Sequence, residues 1–91
     1  MNKETLDDIE KFAALAFAPE QVAIICEIDE KEFLEALDDP KSDISKAYHK
    51  GVYKIEAQLR SVVFEQALSG STPAQTIALG YMKELKLKLM R

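Results

Sequence analysis

The chain has few of the residues that build disulfides, metal sites and catalytic sites. Its 91 residues include one cysteine, one histidine, three glycines, three prolines and no tryptophan. A single cysteine excludes an intramolecular disulfide, and one cysteine with one histidine leaves no metal-ligand spacing. The sequence also lacks a glycine-rich phosphate loop and a serine–histidine–aspartate arrangement. We therefore expect a protein that is not an enzyme and that binds no cofactor and no metal.

Long apolar runs are also missing. No run approaches the roughly 20 residues that a membrane-spanning helix needs, and the first residues lack the basic and apolar regions of a signal peptide. We expect an intracellular protein that does not contact a membrane. An apolar content of 47% can form one small domain, but a chain of this length is marginal alone, so oligomerisation would be a natural supplement.

The net charge of −4 is divided unevenly along the chain. Residues 1–40 contain twelve acidic and three basic side chains, a net charge of −9, whereas residues 41–91 contain nine basic and four acidic side chains, a net charge of +5. The basic half is suited to contact nucleic acid, or to contact the acidic half of a neighbouring subunit. The alternative is that both halves are ordinary solvated surface.

Apolar spacing predicts five helices and no strands. We place them at about 5–16, 19–27, 29–38, 42–68 and 72–89, with Thr5, Asp29 and Thr72 as N-caps. Pro19 and Pro73 suit the first turns of the second and fifth helices, and Gly70 suits a C-terminal cap of the fourth. The predicted fold is all-α, with a three-helix head in residues 1–40 and an antiparallel helical hairpin in residues 41–91, together one structural unit.

Residues 21–37 have the spacing of a helix-turn-helix motif. A small residue, Ala23, falls where two helices must approach closely, Ile28 follows the turn, and Phe33 packs the second helix onto the first. The apolar positions are Val22, Ala23, Ile25, Cys26, Ile28, Phe33 and Leu37, and we expect Cys26 to be a small core residue. The second helix of such a motif usually enters the major groove. Here it contains Asp29, Glu30, Glu32, Glu35, Asp38 and Asp39 against the single base Lys31, a charge that a DNA backbone repels.

The fourth helix contains two rows of interest. Tyr48, Val52, Ile55, Leu59 and Val62 follow one another at steps of four and three, which is the spacing of a coiled-coil seam and predicts a protein-interaction surface. Gly51 interrupts this helix and predicts a bend or a close helix crossing. Lys46, Lys50 and Lys54 recur every four residues, and Arg60 follows. Such a row on one helix face can follow a phosphate backbone, or it can be an ordinary solvated face. The single histidine, His49, is expected at a solvated or edge position.

Several segments resemble the small terminase subunits of tailed phages and prophages. They are AYHKG at 47–51, IEAQLR at 55–60, ALSGSTPA at 67–74 and GYMKEL at 80–85, and the similarity extends from about 18 to 85. The resemblance implies a helix-turn-helix DNA-binding head and a hairpin that oligomerises. It implies a DNA-packaging role in the cytoplasm of a bacterial host cell, with the large terminase subunit as a partner. Glu27 stands where the turn usually has glycine.

Two functional hypotheses follow. The first is a non-enzymatic DNA-recognition and assembly subunit that forms a homo-oligomer and contacts double-stranded DNA through Lys31, Lys46, Lys50, Lys54 and Arg60. The second is a protein-interaction adaptor that keeps the helix-turn-helix shape without binding DNA. In that case Glu32 and Glu35 on the acidic third helix would dock onto a basic partner.

Overall fold

The computed structural model describes residues 1–90 and is all-α, as the sequence predicts. Its helices are α1 (Lys3–Ala14), α2 (Pro19–Ile25), α3 (Glu30–Asp38), α4 (Asp43–Leu68) and α5 (Thr72–Leu89). The described part of the chain contains no strand. None of these helices combines the length and the apolar character required to cross a bilayer.

Two of the three predicted N-caps are wrong, one by three residues and the other by one. Asn2 caps α1, because its side-chain oxygen accepts a hydrogen bond from the Thr5 backbone N–H at 2.8 Å, and Thr5 therefore lies inside the first turn. Ser71 caps α5 in the same way, accepting from the backbone N–H of Ala74 at 3.4 Å. Asp29 caps α3 as predicted, accepting from the Glu32 backbone N–H. In both corrected cases an equally good capping residue stands earlier in the chain.

The turn between α2 and α3 is short and contains a residue in a left-handed conformation. Glu27 has φ +56°, a region that costs a non-glycine residue some backbone strain. The Ile28 backbone N–H then donates to the carbonyl of Ala23 at 2.9 Å and closes the turn. Glu27 thus holds a backbone conformation that glycine adopts without strain.

The first compact unit has a single core and runs from Met1 to Glu56. Side chains from α1, α2, α3 and the start of α4 fill it. Ile9, Val22, Ala23 and Phe33 are fully buried, and Ile44 is nearly so. Cys26 and Ile28 pack against this core and remain partly exposed, while Ile25 points out of it and is exposed. Because α4 supplies core residues, the first unit extends beyond the boundary predicted at residue 40.

Gly51 lies at a close crossing of α1 and α4, one of the two outcomes that the sequence predicts for it. A Cβ atom built on Gly51 would collide with the backbone carbonyl oxygen of Glu10 and approach the Ala13 Cβ to 3.0 Å. Only glycine lets the two helix backbones approach this closely without displacement.

The second compact unit begins at Ala57 and has a small core. It consists of Ala67, Ala74 and Ala78, with Val63 and Phe64 packed against them. α5 folds back along the end of α4, since Ala67 packs on Ala74 near the turn and the Phe64 ring lies 6.2 Å from that of Tyr81 further along. Gly70, with φ +105°, ends α4 as predicted. Apolar spacing predicts that one face of α5 is lined by Ile77, Ala78, Tyr81, Leu85 and Leu89. In the structure Ala78 is buried and Tyr81 partly so, but Ile77, Leu85 and Leu89 are exposed.

We predict opposite effects for two glycine-to-alanine substitutions. Gly51→Ala should lower the free energy of unfolding by about 1–3 kcal/mol, because the new methyl group has no room at the helix crossing. Gly80→Ala is the matched control, since nothing lies within 4 Å of the position that its methyl group would occupy. It should raise stability by about 0.5–1 kcal/mol through its better helix propensity. Urea denaturation of both variants measures this, and equal effects would contradict the close crossing.

Candidate nucleic-acid interface

Basic and aromatic side chains share one face of α4. Lys46, Lys50 and Lys54 are spaced four residues apart. His49 follows Lys46 by three residues and Tyr53 follows His49 by four. All five side chains therefore project from the same side of the helix. We call these five residues the α4 basic face. Each of them is exposed, and Tyr53 keeps 64% of its surface accessible. Cations beside accessible rings are groups that can contact phosphates and stack on bases.

Hydrogen bonding fixes the orientation of the His49 ring. Its Nδ1 atom lies 2.8 Å from the carbonyl oxygen of Ser45. A carbonyl only accepts, so Nδ1 carries the proton and donates. The ring is flanked by Tyr48 at 6.0 Å and by Tyr53 at 6.3 Å between centroids. His49 therefore lies at the exposed edge position that the sequence predicts, and its ring is paired with the ring of Tyr53.

A carboxylate from α1 lies between two lysines of the α4 basic face. Glu10 accepts a hydrogen bond from the Lys54 Nζ at 2.8 Å and forms an ion pair with the Lys50 Nζ at 3.6 Å. These contacts lower the pKa of Glu10, first through the hydrogen bond from Lys54 and then through the charge of Lys50. The pairs are solvated and so contribute little to stability, but they partly neutralise the face.

Sequence reasoning missed Glu10 as a partner of the lysines on the α4 basic face. Lys50 precedes Gly51 directly and Lys54 lies one turn beyond Lys50. The close crossing at Gly51 brings the α1 backbone at Glu10 against α4 at this point. In the sequence, a glycine beside the lysine row indicated a close helix crossing near the lysines. It did not indicate which helix would cross there or which of its residues would face the lysines.

The acidic residues of α3 are arranged differently. Phe33 is buried, whereas Glu30, Glu32, Glu35 and Asp38 are exposed. None of them forms an ion pair within residues 1–90. Lys31 is exposed on the same helix. The outer surface of α3 is thus an acidic surface without internal compensation in the described part of the chain.

The other predicted site residues lie in two environments. Tyr48 packs edge-on against Phe33 at 6.4 Å and donates to the Phe17 carbonyl at 2.7 Å, and desolvation raises the pKa of its hydroxyl. Val52 and Ile55 are half-buried. Further along α4, Leu59 is 61% exposed, and the Arg60 guanidinium stacks over the Tyr81 ring at 4.2 Å in the second unit.

Neither a metal centre nor a reactive thiol stands out in the described residues. Residues 1–90 contain no group of three or more histidine, cysteine, aspartate or glutamate side chains placed to bind a metal ion. Cys26 is partly buried against the core. Desolvation raises the pKa of its thiol, which keeps the unreactive protonated form at neutral pH.

Comparison of the chain with protein-family models, with curated proteins and with solved structures found no match. The resemblance to small terminase subunits therefore rests on the sequence motifs at 47–51, 55–60, 67–74 and 80–85.

We predict that Glu10 contributes stability at neutral pH that is lost on acidification. Its pKa is lower in the folded protein than the ordinary value of 4.5, so the unfolded chain binds more protons at this site. The stabilisation is fully present above pH 4.5 and disappears as the pH falls through the lower pKa that Glu10 has in the folded protein. The stability difference between the wild type and Glu10→Gln should shrink over that window. Thermal unfolding of both proteins across pH measures it, and a pH-independent difference would contradict the ion-pair assignment.

Proposed function

We propose that this chain is a non-enzymatic DNA-recognition and assembly subunit resembling small terminase subunits. In this role it binds viral DNA for packaging in the cytoplasm of a bacterial host cell. Its helical hairpin mediates homo-oligomerisation, and its partner is the large terminase subunit. The observation that carries the proposal is the α4 basic face, an exposed array of three lysines and two rings in a protein of net charge −4.

The α2–turn–α3 segment supports a helix-turn-helix head. Ala23 is fully buried where α2 meets its neighbours, and Phe33 of α3 is fully buried in the same core. The turn is closed by the hydrogen bond from Ile28 to Ala23, with Glu27 in the left-handed region. This is the packing that the motif uses to fix its second helix as a rigid element.

Electrostatics favour α4 over α3 as the main DNA contact. The exposed acids of α3 would lie against the phosphates if this helix entered the major groove, and that contact is repulsive. The lysines of the α4 basic face instead point three positive charges outward. Because Glu10 already engages Lys50 and Lys54, a phosphate has to displace its carboxylate. We therefore expect weak, salt-sensitive binding by each head, with affinity supplied by avidity in the oligomer.

The lysine row predicts a defined change in salt dependence. Replacing Lys46, Lys50 and Lys54 with glutamine should weaken duplex DNA binding and reduce the slope of log K against log salt by about 2.7, since each lost phosphate contact removes about 0.9. Fluorescence anisotropy with labelled duplex over a salt series measures this slope.

The matched control removes the same charge elsewhere. Lys11→Gln, Lys41→Gln and Lys88→Gln together change the net charge equally but lie outside the α4 basic face. This variant should keep most of the slope. Equal slopes in the wild type and the α4 variant would contradict the proposed function, as would an equal loss in the control. Circular dichroism confirms that each variant is folded.

The acidic surface of α3 favours a second candidate, a protein-interaction adaptor without DNA-binding activity. Its exposed glutamates form no ion pair within residues 1–90, and a predominantly acidic helix surface suits a basic partner. In this alternative, Phe33 keeps the helix-turn-helix shape only to present Glu32 and Glu35.

Charge reversal separates the two candidates. Under the adaptor hypothesis, Glu32→Lys with Glu35→Lys abolishes assembly with the basic partner or neighbouring subunit. Under the DNA hypothesis the same variant assembles normally and binds DNA more tightly, because two phosphate-repelling charges are gone. Light scattering and anisotropy on one preparation give both readouts.

A further inference from the structure

The second unit contains an apolar groove that its own side chains leave open. Phe64, Ala67 and Leu68 of α4 line it on one side, and Ala78, Leu79 and Met82 of α5 on the other, around a volume of about 370 Å³. Leu79 is 69% exposed and Leu68 is 88% exposed. The alanine core of this unit is too small to cover these larger side chains, so the groove presents apolar surface to solvent.

The first unit contains an apolar ridge of matching character. α2 buries Val22 and Ala23 in the core, but Ile24 on its outer side is 72% exposed and its neighbour Ile25 is 41% exposed. An exposed isoleucine pair on a seven-residue helix is a compact protrusion.

Acidic residues flank the ridge and basic residues flank the α5 side of the groove, while Glu65 lies on the α4 side. Glu20 lies one turn before Ile24 and Glu27 three residues after it. On α5, Lys83 lies one turn beyond Leu79 and Lys86 one turn beyond Met82. The single acidic residue of α5, Glu84, forms an ion pair with Lys88 at 3.4 Å. Residues 1–56 contain fourteen acidic and seven basic side chains, whereas residues 57–91 contain five basic and two acidic ones.

We propose that the hairpin groove of one copy receives the Ile24–Ile25 ridge of a second copy. Apolar burial supplies the attraction, and Glu20 and Glu27 facing Lys83 and Lys86 select the orientation. This inference rests on the proposed function because it requires the chain to self-assemble. The two surfaces in contact are the ridge and the groove. Because ridge and groove are different surfaces, the contact is heterologous, and each copy can bind one neighbour on either side.

Complementary variants test this arrangement directly. Ile24→Lys destroys the ridge and keeps the groove, whereas Leu79→Lys with Met82→Lys destroys the groove and keeps the ridge. Each variant alone should show a dissociation constant for self-association raised about tenfold or more, the loss expected for an interface anchor. Leu15→Lys, at another exposed leucine of the first unit, is the matched control and should assemble like the wild type.

Mixing the two defective variants gives the decisive readout. A heterologous contact pairs the intact groove of one with the intact ridge of the other and then stops. The equimolar mixture should therefore form a 1:1 complex of twice the 10.2 kDa chain mass, visible by light scattering on a sizing column. A groove that binds a second groove would give no such complex. That outcome, a monomeric wild type, or normal assembly of Ile24→Lys would overturn the inference.

Charge exchange provides a second test that leaves the apolar surfaces intact. Glu20→Lys with Glu27→Lys, and separately Lys83→Glu with Lys86→Glu, should each weaken assembly. In an equimolar mixture each altered ridge meets an oppositely charged groove and each altered groove an oppositely charged ridge, so the mixture should recover the full wild-type assembly with the two variants alternating. All these variants retain Lys46, Lys50 and Lys54. Unchanged assembly together with a normal DNA salt slope would overturn only this inference, whereas a missing salt slope with normal charge rescue would overturn only the DNA-binding proposal.

Discussion

The close approach of α1 and α4 at Gly51 is the constraint on which the first unit depends. It lets the backbone of Glu10 lie against α4, which joins Ile9 on α1 to the core that Ile44 enters from α4. The same approach places the Glu10 carboxylate between Lys50 and Lys54. One missing side chain therefore determines both the packing of the core and the charge presented by the α4 basic face.

Shape and charge assign different roles to the two helices that could contact DNA. Phe33 anchors α3 in the core and Asp29 caps it, which is what the proposed role of α3 as a recognition helix requires. Its outer surface is acidic, and part of that acidity only stabilises the helix N-terminus. α4 has the charge suited to phosphates but lies outside the motif. In the proposed complex α3 would set the geometry and α4 would supply the positive charge. This division favours sequence-independent contact with the DNA backbone over base readout.

Much of the fold could be predicted from the sequence, because local signals and apolar spacing agreed. Pro19, Asp29 and Gly70 marked helix ends correctly, and Ala23 and Phe33 were identified as core residues. Caps failed where two capping residues lay close together, as with Ser71 and Thr72. The predicted α5 face was wrong for another reason. Helical periodicity identifies apolar rows, but Ala74 and Ala78 pack inward while Ile77 and Leu85 remain outside.

The candidate site was harder to predict, since it depends on contacts between distant parts of the chain. The lysine row was visible in the spacing of α4, but its partner Glu10 lies 44 residues from Lys54 in sequence. Tyr53 directly precedes Lys54 in the sequence, whereas its pairing with His49 depends on the ring orientation that Ser45 fixes. Neither contact produces a periodic signal.

The alanine core of the second unit has a thermodynamic consequence for a chain that assembles. Ala67, Ala74 and Ala78 bury little area, and burial of apolar area is the main source of folding free energy. Larger apolar side chains of this hairpin, such as Leu68 and Leu79, remain exposed, and the proposed assembly would bury them. Folding of the hairpin and association are then linked equilibria, so the melting temperature of the hairpin becomes a function of protein concentration.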